Sequence, residues 1–267
     1  MKVALVTGVS SGIGRATAGE LTDLGFKTFG TVRSEIAPQR NVEHVRLDVR
    51  DDDSAKAAVA EVLDRAGRID VLINSAGSSL LGALEETSIE EAHDLFETNF
   101  FGVFRMTQAV LPAMRAQGAG RIVNISSVLG FLPAPFLSVY AATKHAVEGY
   151  SETLDHEVRS FGIRVVVVEP GFTRTQLGHN SASLKHPLPI YDEERSKVHA
   201  RLTENIDRGA DPAVVARVVA RAVTARSPRL RYQAGGEARS LRILRSIAPT
   251  FLLDRGIRKE FGLGAPS

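Results

Sequence analysis

The sequence predicts a doubly wound α/β fold, a parallel sheet with helices on both faces, in a single domain. Three observations predict it. Six short apolar runs alternate with stretches of helical character, strand then helix each time. The fourth run, 69–73, has the composition of a strand buried on both faces, and V-V-V-V lies at the heart of the sixth. The first run meets a glycine-rich turn that opens a helix, the start of a βαβ unit.

The totals bound the rest. The chain has 267 residues, 43% of them apolar, enough for a sizeable core. It has no cysteine, which excludes disulfides and thiolate chemistry and fits a reducing, cytoplasmic setting. The seven histidines show no ligand spacing such as H-x-x-x-H, so no metal is expected. The opening M-K-V-A-L-V-T-G turns too early for a signal peptide, and no window approaches the ~18 apolar residues of a membrane span. From Arg226 onward nine Lys/Arg stand against three Asp/Glu, while the rest of the chain has 24 against 28. The basic character therefore belongs to the tail and does not argue for nucleic-acid binding.

Residues 3–7 read as the first strand, and T-G-V-S-S-G-I-G fills 7–14. A helix over 15–24 ends at Gly25, and 27–32 is the second strand. Gly8 allows the tight turn, Gly12 lets backbone approach a pyrophosphate, and Gly14 lets helix pack closely on sheet. The helix N-terminus adds free N–H groups and a positive dipole for phosphates. The charge after the second strand selects the dinucleotide: NAD sites place a carboxylate there, NADP sites an arginine. Here the strand ends T-V-R-S, with Arg33 in place and no acid before Glu35, which predicts NADP(H). Arg15 could add charge.

Residues 42–49 hold the third strand, ending near Asp48, and Asp51, Asp52 and Asp53 suit a helix start. Asp48 could accept from an adenine amino group or serve as another capping acid. The fourth strand, 69–73, runs into N-S-A-G at 74–77, whose small residues let a ribose lie close to backbone. A long helix is expected over 88–117, with Pro112 bending its later part. Asn99 falls inside it, either on the surface or marking a local opening around a water. Residues 121–125 are the fifth strand and deliver Ser126 and Ser127 to a carboxyl end, where ligands bind in open α/β sheets. An apolar loop with Phe131, Leu132 and Phe136 follows, suited to a pocket wall or to core filling. A helix over 139–161 then places Tyr140 and Lys144 four apart on one face. The sixth strand, 163–168, stops at Pro170-Gly171.

Residues 172–209 read as a substrate lid whose polarity suggests mobility, with a helix over 191–208. Asp211 caps a further helix with Pro212 at its first position, and 230–233 is a last edge strand. In the basic extension, 226–267, Leu241, Leu244, Ile247, Ala248 and Phe251 share a helical face opposite Arg239, Arg242 and Arg245. Such a helix most often packs on its own protein; peripheral contact with an anionic membrane is the other reading, weakened by Pro249.

Six separated motifs in order, T-G-V-S-S-G-I-G, Asp48, N-S-A-G, Asn99, the Ser127/Tyr140/Lys144 set and P-G-F-T-R-T, resemble the short-chain dehydrogenase/reductase superfamily over about residues 2–177. The resemblance implies a Rossmann-type fold that interconverts a carbonyl and an alcohol by hydride transfer. It implies that Tyr140 is the general acid or base, that Lys144 lowers its pKa and binds ribose, that Ser127 holds the substrate oxygen, and that Asn99 holds a relay water. It assigns Asp48 and Asn74 to the adenosine, Thr175 to the carboxamide, and counts Ser10, Ser11, Ile13 and Val49 with the glycines at the cofactor. Ala76, Gly77, Pro170, Gly171 and Thr173 complete that set. One departure is serine at 75, where the family usually has asparagine. The T-V-R ending, the apolar loop and the extended tail look like the hydroxysteroid and retinol dehydrogenase group. A lipophilic carbonyl or alcohol against Phe131, Leu132, Phe136, Phe172 and Leu177 is expected, and by analogy a homodimer or homotetramer. Intact Ser127, Tyr140 and Lys144 argue against a non-catalytic nucleotide-binding regulator on the same fold.

Overall fold

The computed structural model describes residues 1–179 and 184–264. Seven short runs, the central ones rich in Val, Ile and Leu, pair in parallel as β1 (Val3–Val6), β2 (Lys27–Val32), β3 (Val42–Arg46), β4 (Val71–Asn74), β5 (Gly120–Ile125), β6 (Ile163–Pro170) and β7 (Arg231–Ala234). Their order across the sheet is β3-β2-β1-β4-β5-β6-β7. β1 pairs with β2 on one side and β4 on the other, so the winding reverses there. A crevice opens beyond the carboxyl ends of strands at such a switch point.

Two apolar layers cover the sheet. On one face Leu5, Phe29, Leu72 and Ile122 meet α2 (Asp52–Ala66), α4 (Gly102–Gln117) and α5 (Ser138–Val158) through Val59, Met106, Met114 and Leu154. On the other, Val6, Ile73, Val123 and Val168 meet α1 (Gly12–Asp23) and α8 (Pro212–Thr224) through Leu21, Val215 and Val219. The caps follow the sequence. Asp51 accepts from the Ser54 N–H at 2.6 Å to start α2, and Asp211 accepts from Ala213 at 2.9 Å to start α8. Gly25 ends the α1 turn at φ +83°, a conformation that disfavours a side chain.

The helix expected over 88–117 is continuous in the structure, with a change of winding inside it. α3 (Ile89–Phe96) passes through a π-helical turn, Glu97–Phe101, into α4, which runs unbroken through Pro112. The segment 172–209, expected to act as a lid, makes hydrogen bonds and an ion pair to the rest of the protein where it is described. It contains the short α6 (Gln176–His179) and α7 (Asp192–Asp207). Buried Glu86 accepts from the Leu188 N–H at 2.8 Å and pairs with Arg195; buried Glu91 accepts from the Lys185 N–H at 3.0 Å. Residues 180–183 and 265–267 of the lid and tail lie outside the described residues. The tail forms α9 (Gly236–Ile247) and α10 (Thr250–Glu260). Arg242, expected on the outer charged face, turns inward instead. Its guanidinium pairs with the fully buried Glu169 at 3.1 Å and stacks 4.6 Å from the Phe131 ring centroid.

Candidate active site

A cavity of about 490 Å³ lies beyond the carboxyl ends of β1, β4, β5 and β6. Its floor begins at the first βα turn. Gly8 and Gly12 have φ of +73° and +55°, and a Cβ on Gly14 would come within 2.3 Å of the Gly8 carbonyl oxygen. α1 thus starts tight against the turn that precedes it. No side chain caps α1 and its first turn carries no acid, so its N–H groups face the cavity uncompensated. This is an anion cradle by construction. The Thr7 hydroxyl accepts from the N–H groups of Ser75 and Ala76 at 2.9 and 3.0 Å, which joins N-S-A-G to the cradle.

Ser10, Ser11, Ile13, Arg33, Asp48, Val49, Ala76 and Gly77 line this half of the cavity, as expected. Arg33 is exposed and has no ion-pair partner among the described residues. Asp48 lines the wall, and its carboxylate closes its own turn by accepting from the Arg50 N–H at 3.0 Å; the cap of α2 is Asp51, not Asp48. Arg15 is not on the wall. Nor is Asn74. Its side chain points under the sheet, where it donates to the Asn124 amide oxygen at 2.8 Å, and Asn124 in turn donates to Ser151 at 2.8 Å. Adenosine contact by the Asn74 side chain is corrected accordingly: the neighbouring Ser75, Ala76 and Gly77 line the cavity in its place.

The other half carries the reactive groups. Ser127, at the end of β5, and Tyr140 and Lys144, one turn apart on α5, share one wall. The Lys144 ammonium donates to the Ile125 carbonyl at 3.0 Å and lies 5.7 Å from the Tyr140 ring centroid. Burial pushes the Tyr140 phenol up to about 12, with the Ser127 hydroxyl pulling the other way. Burial draws Lys144 down to about 8, opposed by the Glu148 carboxylate one turn further along α5. Burial thus outweighs any lowering of the tyrosine by Lys144, and the phenol is protonated at neutral pH. Glu148 itself pairs with Arg231 at 2.9 Å, and Arg231 also with Glu152 at 2.8 Å. Glu169 stands next in this chain of charges, 3.7 Å from Arg231, and leads to Arg242 on α9.

Asn99 lies in the π-helical turn behind the wall. Its amide oxygen accepts from the Ser78 N–H at 2.8 Å and its amide nitrogen donates to the Ser78 carbonyl at 3.0 Å and to Thr143 at 3.2 Å. The side chain is therefore occupied in holding Ser78, which does line the cavity. The expected opening of the helix is present as the π turn, and such turns are frequent at functional sites.

Pro170, Gly171, Thr173 and Thr175 line the cavity where expected, and so do Phe172 and Leu177. The apolar loop does not. Phe131 and Leu132 pack with Val128 and Ala238 beneath α9, and Phe136 packs edge-on against Tyr191 at 6.2 Å with φ +60°. Placing these three on the substrate wall is thereby corrected. Leu129 and Leu137 flank them and face the cavity, joined by Leu202 and Ile206 of the lid and Phe261 of the tail. The lid pair had a signal: Val198, Leu202 and Ile206 recur every four residues on an otherwise polar helix. Phe261 had none.

A phosphate cradle at a switch point, opening onto a buried tyrosine and lysine beside a serine, defines a nucleotide-dependent oxidoreductase. The short chain dehydrogenase family model matches residues 2–185, and the chain belongs to that family. It is similar to a 3-ketodihydrosphingosine reductase of Bacteroides thetaiotaomicron, 37% identical over 88% of each chain. It is also similar to the crystal structure of a short-chain dehydrogenase from Streptomyces avermitilis, with 38% identity, a TM-score of 0.82, and 99% and 98% of the two chains covered. A Burkholderia phymatum family member solved in complex with NAD matches at 25% identity and a TM-score of 0.80, over 100% of this chain and 96% of its own.

Proposed function

We propose that the protein is an NADP(H)-dependent oxidoreductase that reduces a lipophilic ketone to an alcohol, and the reverse. The observation that carries it is Ser127, Tyr140 and Lys144 on one wall of the cavity that the glycine cradle opens into. The cradle fits a pyrophosphate, and Arg33, exposed beside it and without an ion-pair partner among the described residues, fits a 2′-phosphate better than a ribose diol. When bound, the reduced nicotinamide supplies the hydride. Ser127 and Tyr140 hydrogen-bond the substrate oxygen as negative charge develops on it, and Tyr140 hands over its proton. A phenol kept protonated by burial is in the form that reduction needs. Lys144 holds ribose hydroxyls and adds positive charge beside the phenol. Leu129, Leu137, Phe172, Leu202, Ile206 and Phe261 supply an apolar wall suited to a lipid-like substrate, as the similarity to a ketosphingoid reductase also suggests.

The test is Tyr140→Phe. Turnover of ketones should fall by about a thousandfold or more with NADPH affinity kept, given what a positioned acid and oxyanion donor contribute. A variant with full activity would mean that Tyr140 is not the proton donor, and a parent chain that binds NADPH but turns over no ketone would mean that the protein holds nucleotide for another purpose. We further propose a homo-oligomer formed through α4 and α5, where Phe101 and Phe104 are exposed beside Tyr150, whose ring lies 6.1 Å from that of Phe104. Sedimentation equilibrium should give a dimer or tetramer that Phe104→Glu weakens; a monomer at micromolar concentration sinks this part.

A further inference from the structure

We propose that the turn joining α9 to α10 is a docking surface for an anionic phospholipid membrane. The structure gives α9 two apolar sides, only one of which is covered. Ala238 and Leu241 face inward onto Val128, Phe131 and Leu132. Ile243, Leu244 and Ile247 fall within about 100° of one another on the other side and are all exposed. Beyond Pro249 the first turn of α10 adds Phe251 and Leu252, while Leu253 and Ile257 turn in. Ile247 is 75% and Phe251 69% exposed, the largest values of the five. A run of apolar side chains left outside, on helices that bury other apolar side chains, marks an interaction site.

Charge selects the occupant. Between Arg239 and Lys259 the chain has six basic residues and one acid, Asp254. Arg239, Arg245, Arg255 and Lys259 are exposed and make no ion pair among the described residues. A second copy placed symmetrically on this surface would set these cations against their own images, which disfavours it. A bilayer with anionic headgroups takes the cations at its surface and the aliphatic side chains below them, without a complementary groove. Phe261, which follows the last residue of α10, lies on the cavity wall, so docking would bring the cavity close to the lipid interface. The inference does not rest on the proposed reaction.

The test is co-sedimentation of the full chain with phosphatidylcholine vesicles and with mixed phosphatidylcholine–phosphatidylglycerol vesicles, at low and high salt. Partitioning should be on the order of tenfold stronger on the anionic vesicles and weaken with salt. Paired substitutions Ile247→Ser with Phe251→Ser, and Arg245→Glu with Arg255→Glu, should each lower it about tenfold or more, leaving nucleotide binding and melting temperature unchanged. Absence of binding by the parent chain overturns the proposal, and so does binding that both variants retain. If the parent ignores vesicles and the apolar variant instead lowers the oligomeric mass, a second copy covers the surface. If the parent ignores vesicles and binds an acidic protein, the partner is of another class.

Discussion

Lys144 is an ammonium almost wholly withdrawn from water, 6% exposed on the cavity wall. Its folded pKa of about 8 lies below the ordinary 10.5. The folded state thus disfavours the charged form, a destabilisation complete below about pH 8 and relieved as pH rises toward 10.5. At neutral pH it amounts to roughly 3 kcal/mol. Lys144→Met should therefore melt no lower than the parent, and about 1–2 kcal/mol more stably once the lost bond to the Ile125 carbonyl is allowed for, while losing reductase activity. In the parent, kcat/KM for reduction should decline above about pH 8 as Lys144 loses its proton. Glu148→Gln should move that decline to lower pH, because its carboxylate is what holds the lysine up; an unmoved profile would show that Glu148 has no part in it. For Arg33→Ala, titration should give NADPH binding weaker by on the order of tenfold or more, from loss of a charge-assisted phosphate contact, with NADH unaffected. Equal weakening of both would remove the NADP preference. Arg33 was legible because the residue after a strand has a fixed place. Phe131, Leu132 and Phe136 were not, because an irregular loop has no period to say which side each faces.

Among the elements, the lid shows how a polar segment can be fixed. Glu86 and Glu91 are buried on the rim, and although burial opposes their ionisation, backbone N–H groups from both sides hold both carboxyls below the usual range. Asp155 on α5 is similar: against the effect of burial, Arg164, Arg159 and the Val165 N–H hold it down to about 2. These folded values lie below the unfolded ones, so the stabilisation is present above about pH 4–5 and is lost as pH falls through the folded pKa values. Acid titration of the fold should show stability dropping from about pH 4 downward, and Asp155→Asn should flatten that drop. Glu86→Gln should cost about 2–3 kcal/mol and raise KM for an apolar ketone more than it changes kcat, because Leu202 and Ile206 are carried by the helix that Arg195 anchors. The π turn at Glu97–Phe101 was half-legible: asparagine and glycine in mid-helix signalled a weakness, but not that the Asn99 amide would be taken up by Ser78.

Across the whole molecule the sheet was the most legible part, because its central strands β1, β4 and β6 are buried on both faces and are apolar at nearly every position. Parallel strands joined by single crossovers leave few topologies open. The tail was the least legible: a helical wheel identified an apolar arc, but burial divided it, taking Leu241 inward and leaving Leu244 and Ile247 out. Removing residues 236–267 should leave the glycine cradle and nucleotide binding in place. It should also lower the melting temperature, since Phe131 and Leu132 lose their cover and Glu169 loses Arg242.

The position of β1 has a consequence for synthesis. Of the seven strands this one is made first, yet it is flanked by β2 and β4, and the helix that follows it packs against α8, which begins only at Pro212. Until some 200 further residues have been made, the part of this face that α8 covers, with Val123 and Val168 among its residues, cannot close. The layer that begins with the first strand is therefore completed only when α8 has been made, late in synthesis.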